Sequence, residues 1–327
     1  MLISCFFVVF GFALLIYGAD GFVEGASNLA RQLGVSPLII GLTIVGFATS
    51  APEIIVGSVS AWQGKTAIAI GNAVGSNIAN IGLVLGLSVL VFPITIASTT
   101  IRKEFGLMFL AIIITLFVML DNHLSRIDGM ILLISLIISM AWIVWLAKHS
   151  PVNDPLVKES IDEYSEKPNK SDSVGKALVQ LLFGLVLLLL GADMLVRGAV
   201  FIAAYFGVSD LIIGLTIVAI GTSLPELAAC IVSLKKDEAD IAVGNIIGSN
   251  MFNMLAVLSI PTLINPDYFA DDVLYRDFPT MITLTLLMGA MVFMSSKGKL
   301  IRSEGALLFL CFIGYQYMLF SQSITLT

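Results

Sequence analysis

Residues 18–80 of the 327-residue chain return at 191–253, shifted by 173 positions without a gap, and 32 of the 63 aligned pairs are identical. The strongest match is GLTIVGFATSAPE at 41–53 against GLTIVAIGTSLPE at 214–226. Gly-Ala-Asp (18–20, 191–193), Gly-Val-Ser (34–36, 207–209) and Gly-Ser-Asn (75–77, 248–250) repeat as well. A chain duplicated to this degree is expected to fold as two like halves. Any site made by the repeated segment is then made twice, and the two copies meet where the halves join.

The halves are built for lipid. The chain is 58% hydrophobic and only 12% charged, against about 25% charged in soluble domains. Hydropathy predicts ten apolar segments, near 2–27, 36–63, 66–93, 104–121, 127–147, 177–203, 209–234, 239–264, 279–295 and 303–321. At about 1.5 Å per residue, each reaches across an apolar layer of about 30 Å. The N-terminus is apolar from Leu2 and lacks a basic leader, so the first segment reads as a true helix. The stretch 148–176 holds 11 charged residues and reads as a linker between a first five-helix repeat (1–147) and a second (177–327).

The expected fold is therefore an all-α integral membrane protein of ten transmembrane helices. Five helices is an odd number, so the second repeat enters the membrane from the opposite face and the repeats are inverted. With both termini outside, 13 of the 17 Lys and Arg residues fall on inward loops and 4 on outward ones. The positive-inside rule selects that orientation, with the 148–176 loop in the cytoplasm of a bacterial inner membrane.

Each copy of the repeat buries a glutamate, Glu53 or Glu226, near mid-membrane. Ionisable groups there are costly, and they mark function. Pro52 and Pro225 stand just before them, and a proline lacks the N–H of a regular helical turn. The break is expected to free carbonyls around Gly46–Thr49 and Ala219–Thr222, which need other partners in lipid. Thr49, Ser50, Thr222 and Ser223 add hydroxyls at the same point. The plain alternative is a capping box, Ser50-x-x-Glu53 and Ser223-x-x-Glu226, starting each following helix.

The second motif is GNAVGSNIAN (71–80) and GNIIGSNMFN (244–253). Asn72, Ser76 and Asn80 lie on one helix face, as do Asn245, Ser249 and Asn253. Ser76, Asn80, Ser249 and Asn253 read as further ligands. Asn72, Asn77, Asn245 and Asn250 read as interhelical glue. All these donors are oxygen; His123 and His149 lie in loops, and Cys5, Cys230 and Cys311 read as small core residues. Oxygen-only sites suit Ca²⁺ and other hard cations.

The paired T-S-x-P-E and G-S-N-x-x-N motifs resemble the alpha repeats of the cation/calcium exchanger superfamily, in particular its short prokaryotic sodium/calcium exchanger-like branch. The resemblance spans the whole chain. It implies four adjacent cation positions used alternately by one Ca²⁺ and by three Na⁺, in an electrogenic cycle. The ligands it implies are Glu53 and Glu226 at the centre, the hydroxyls of Thr49, Ser50, Thr222 and Ser223, the main-chain carbonyls of Gly46 and Ala219, and Ser76, Asn80, Ser249 and Asn253. It also implies sliding of the first and sixth helices across the other eight. Some archaeal-type members have an aspartate where this chain has Asn253, so the charge here rests on two glutamates. Phe47 is bulkier than the residue usual at its position and is expected to narrow the pocket.

The function expected is a secondary antiporter that extrudes Ca²⁺ as Na⁺ enters, not an enzyme. No cofactor is expected beside the transported Ca²⁺ and Na⁺. The expected surroundings are the lipid bilayer, with no nucleic acid and no inferable protein partner. Ca²⁺/H⁺ or K⁺-coupled exchange on the same scaffold is the alternative. A passive channel fits an inverted repeat poorly, and a non-transporting scaffold leaves the buried glutamates unexplained. Asp20 and Asp193 are repeat-related and read as helix caps or gate residues, and the aspartates at 267–277 read as a solvated outer loop.

Overall fold

The computed structural model describes residues 1–95, 99–149, 173–207, 219–294 and 299–325. Most of the expected linker (150–172) and the first part of the segment expected at 209–234 lie outside the described residues. The described chain is almost wholly helical. In order come α1 (Leu2–Leu33), α2 (Pro37–Trp62), α3 (Thr66–Val91), α4 (Thr99–Met119), α5 (Arg126–His149), α6 (Val174–Tyr205), α7 (Leu224–Lys235, after a short turn Ala219–Thr222), α8 (Ala239–Ile264), α9 (Val273–Met294) and α10 (Arg302–Thr325). Among the described residues, eight helices are long and apolar enough to cross a membrane; α4 and α7 are not among them. Large apolar side chains such as Phe12, Ile138, Trp145 and Phe183 stand exposed around them, as lipid-facing residues do.

α1 and α6 run longer than hydropathy alone predicts, 32 residues each. A polar last turn carries α1 past its apolar span, and α6 starts earlier than its apolar span and runs on through Ala204 and Tyr205. Gly34, at φ 65°, ends α1 by returning its N–H to the Arg31 carbonyl. The Ser173 side chain opens α6 by accepting from the Lys176 N–H. The two helices lie antiparallel with their backbones touching. Gly11, Gly18 and Gly25 face α6 at seven-residue spacing, and their counterparts Gly184, Gly191 and Gly198 face α1. A Cβ on Gly18 would stand 2.3 Å from the Leu188 nitrogen, so only glycine permits this approach.

α8 is the axis of the molecule: its whole apolar window is buried. It packs on α2 as closely as α1 does on α6. A Cβ on Gly248 would fall 2.3 Å from the Leu42 carbonyl oxygen. That contact brings the second-half motif of α8 against the proline break of α2. Two short antiparallel ladders bind connections of one half to the other: Ile94–Thr95 with Lys299–Leu300, and His123–Leu124 with Asp267–Tyr268. Of the cysteines, Cys230 is buried as expected, whereas Cys5 and Cys311 are exposed on the apolar exterior.

Candidate cation site

The break in α2 is narrower than proline chemistry alone suggests. The helix loosens to a wider turn over Gly41–Val45, resumes over Gly46–Thr49, and steps at Ser50 (φ −84°, ψ 0°) before Pro52. The Gly46 carbonyl keeps a helical partner, the Ser50 N–H at 3.2 Å. It nevertheless meets Ser249 Oγ at 3.4 Å and Thr49 Oγ1 at 3.5 Å through its remaining acceptor capacity. In the second copy Ser223 donates its N–H to the Ile220 carbonyl at 3.1 Å, and α7 restarts after it.

The capping-box alternative is not formed. Ser50 and Ser223 stand at the N-caps of the helices that follow, yet neither makes a side-chain cap bond. Both hydroxyls are buried without a hydrogen-bond partner. Glu53 and Glu226 are each 2% exposed. The Oε2 of each has no hydrogen-bond partner. Glu226 lies beside Thr49 of the first half and within electrostatic reach of Glu53. Among the described residues no Lys or Arg pairs with either carboxylate. A buried pair of like charges with unfilled oxygens calls for a cation.

Other buried oxygens are unpartnered as well. The Oδ1 atoms of Asn80 and Asn253 are buried and unpartnered, like the Ser50 and Ser223 hydroxyls. Ser249 Oγ lies 3.1 Å from Thr49 Oγ1. Asn77 Nδ2 donates to the Asn250 carbonyl at 3.1 Å, and Asn80 Nδ2 to Asn250 Oδ1 at 3.2 Å, so the two Gly-Ser-Asn motifs are bound to each other. Ser76 is buried nearby on α3. Ala219 begins the described turn of the second copy, which ends at Thr222. Thr222 lines a cavity of about 260 Å³ with Pro52, Pro225, Gly221 and the α6 residues Leu189, Ala192, Asp193 and Val196. A cavity therefore lies between α6 and the proline turns of both copies.

The structure thus joins Gly46, Thr49, Asn245 and Ser249 by direct contact and sets Glu226 and Glu53 within electrostatic reach of each other. Phe47 does not narrow this cluster: it is 52% exposed, and its ring packs edge-on against Phe252 at 5.5 Å. Asn245, read from sequence as interhelical glue, does link α8 to α2, accepting from Thr49 Oγ1 at 3.0 Å, and it also accepts from Ser249 Oγ at 3.3 Å. Its place in the same i, i+4 row as Ser249 was the available signal.

A multi-pass helical membrane protein with two buried carboxylates and unpartnered oxygens drawn from both repeats has the build of an ion transporter. The chain belongs to the sodium/calcium exchanger protein family, whose model matches residues 3–145 and 176–321. It is 48% identical to the putative antiporter CaxA of Alkalimonas amylolytica, over 98% of this chain and 100% of that one. It is 29% identical to the sodium/calcium exchanger MaX1 of Methanosarcina acetivorans, over 96% and 97% of the two chains. The solved sodium/calcium exchanger from Methanococcus jannaschii superposes with a TM-score of 0.81 at 33% identity, covering 95% of this chain and 96% of that one. The chain is therefore a cation/Ca²⁺ exchanger by family.

Proposed function

We propose that the chain is an antiporter of the bacterial inner membrane that moves Ca²⁺ out as Na⁺ enters. The observation that carries this reading is the set of buried, unpartnered oxygens on Ser50, Glu53, Asn80, Ser223, Glu226 and Asn253, drawn evenly from both repeats. Glu53, Glu226, Thr49, Ser50, Thr222, Ser223, Ser76, Asn80, Ser249 and Asn253, with the carbonyls of Gly46 and Ala219, are its ligands. Two carboxylates balance one Ca²⁺. Three Na⁺ in its place leave one net positive charge, so exchange is electrogenic. The proposed frame is ten crossings in two inverted five-helix repeats, 1–147 and 177–327, with both termini outside and 148–176 as a cytoplasmic linker.

An ion-swap assay in proteoliposomes tests the coupling. Ca²⁺ uptake into Na⁺-loaded vesicles should require the Na⁺ gradient and slow under an inside-negative potential. Acid should inhibit it, because protons compete for the same carboxylates, and a pH gradient alone should drive none. Uptake driven by a pH gradient in Na⁺-free medium replaces Na⁺ with H⁺ in this reading. A second reading adds K⁺: a 57-residue stretch is 44% identical to human sodium/potassium/calcium exchanger 5. Dependence of the Na⁺-driven flux on K⁺ selects it. For the topology, cysteines at Asn169 and Asp271, in a chain freed of its native cysteines, should label from opposite faces with an impermeant thiol reagent. Labelling of both from one face breaks the inverted frame.

A further inference from the structure

The asparagines of the two G-N-x-x-G-S-N motifs do different work. Asn77 and Asn80 act as donors, each giving its Nδ2 to Asn250 across the interface of α3 and α8. That is the behaviour of glue. Asn245 does the opposite. Its Nδ2 is buried with no partner, while its Oδ1 lies within reach of two hydroxyls, Thr49 Oγ1 at 3.0 Å and Ser249 Oγ at 3.3 Å. One hydroxyl comes from α2 and the other from its own helix one turn on. The residue is 1% exposed, so no solvent shares the task.

A hydroxyl can serve a cation only through its lone pairs, so its proton must be sent elsewhere. Around Thr49 and Ser249 the other acceptors are the Gly46 carbonyl and each other's hydroxyl oxygen, with the Glu226 carboxylate close by. A proton resting on any of these would occupy an oxygen that a cation needs. Asn245 Oδ1 is the neutral acceptor within reach of both hydroxyls, and with their protons on it the remaining lone pairs are free for an ion. We propose that Asn245 is a positioning residue of the cation site: its amide oxygen orients the Thr49 and Ser249 hydroxyls so that their lone pairs face the transported ion. This rests on the exchanger reading of the same cluster and adds a residue to it that binds no ion itself.

The test compares Asn245→Ala with Asn245→Asp in proteoliposomes and in detergent. The alanine variant should raise the KM for Na⁺ by about tenfold, the scale of losing the orientation of a buried hydrogen bond. It should also lose most of the cation-induced rise in Tm, while its Tm without cations stays close to that of the unsubstituted protein. Asn245→Asp keeps the oxygen but replaces the idle Nδ2 with a second carboxylate oxygen and its charge, so it should retain at least the full cation-induced rise. Combining Asn245→Ala with Thr49→Val should cost less than the product of the two single effects, because they share one hydroxyl. Should Asn245→Ala fail to fold, Asn245→Leu gives the same comparison, being close in size and lacking the amide oxygen.

An unchanged KM and Tm rise in the alanine variant overturns the inference, as does an aspartate variant as impaired as the alanine one. Full multiplicativity with Thr49→Val overturns it too. Glu53→Gln and Glu226→Gln, run in the same vesicles, separate the two levels. If they are inactive while Asn245→Ala is normal, only the role of Asn245 falls. If they transport normally, the exchanger site itself is misplaced.

Discussion

α1 and α6 share their glycine spacing and touch each other along one seam, yet they are held by the rest of the molecule differently. α1 is tied at the corner between α7 and α8. Lys236 Nζ reaches Asp20 at 3.0 Å and Glu24 at 3.5 Å, Arg31 reaches Glu238 at 3.5 Å, and Ser27 donates to Glu238. The corresponding positions of α6 have drifted: Glu24 is matched by Arg197, Ser27 by Val200 and Arg31 by Ala204, while Lys236 and Glu238 are matched by Gln63 and Lys65. Asp193, the mate of Asp20, pairs with Arg197 of its own helix at 2.8 Å. Beside it opens the cavity that leads to Thr222. The same scaffold is thus fastened by ion pairs along α1 and bordered by a cavity along α6. Duplication supplied the carboxylates and the glycine seam twice, and divergence of a few surface charges made the two flanks unequal.

The largest expected effect lies in what the halves still share. Glu53→Gln or Glu226→Gln removes half the charge of the cluster, and Ca²⁺ affinity follows ligand charge count. Either substitution should bring Ca²⁺ flux to background in vesicles containing folded protein. One glutamine variant with near-normal uptake would show that the halves are unequal at the centre as well.

Next comes the seam. A Cβ at Gly18 would stand 2.3 Å from the Leu188 nitrogen, and one at Gly191 would stand 2.4 Å from the Leu15 nitrogen. Gly18→Ala and Gly191→Ala should each cost about 1–3 kcal/mol, as overpacking does, read as a lowered Tm in detergent. Equal losses support a seam shared evenly, and a loss on α1 alone ties the damage to its corner.

The smallest effect concerns the ion pairs. They are partly exposed, and such pairs contribute on the order of 0.2–1 kcal/mol each. With a cysteine at Leu189 in a chain lacking Cys5, Cys230 and Cys311, Lys236→Ala should lower labelling from the cavity side by up to about fivefold, the ratio 1 kcal/mol permits. Arg197→Ala should leave it within about twofold. Equal responses would remove the asymmetry drawn between the helices.

Much of this was legible because duplication marks what matters. Glu53, Glu226, Thr49 and Ser249 stand out as polar residues repeated inside apolar runs, and the structure gathers them. Asn245 was legible as a polar residue but not in its role. A buried amide has both donors and acceptors, and only geometry tells which are used. Phe47 misled because sequence gives size and not direction, and its ring turns outward onto Phe252. The unaided Ser50 and Ser223 hydroxyls could not be told from caps, since the same four-residue pattern serves both. The corner of α1 was hidden for a different reason. Ser27 and Glu238 lie 211 positions apart, and their repeat mates, Val200 and Lys65, carry no trace of the contact.

The length of α1 and α6 has a further consequence. Thirty-two residues of helix span about 48 Å, against an apolar layer of about 30 Å. The two must therefore lean or stand proud of the bilayer, and helices joined backbone to backbone at six glycines lean together. Lipid acyl-chain length then acts on them as on a single lever. A thicker bilayer accommodates more of their length upright, and a thinner one tips them or leaves their ends among the headgroups. The host membrane, through nothing more specific than its thickness, becomes a setting on how this protein stands.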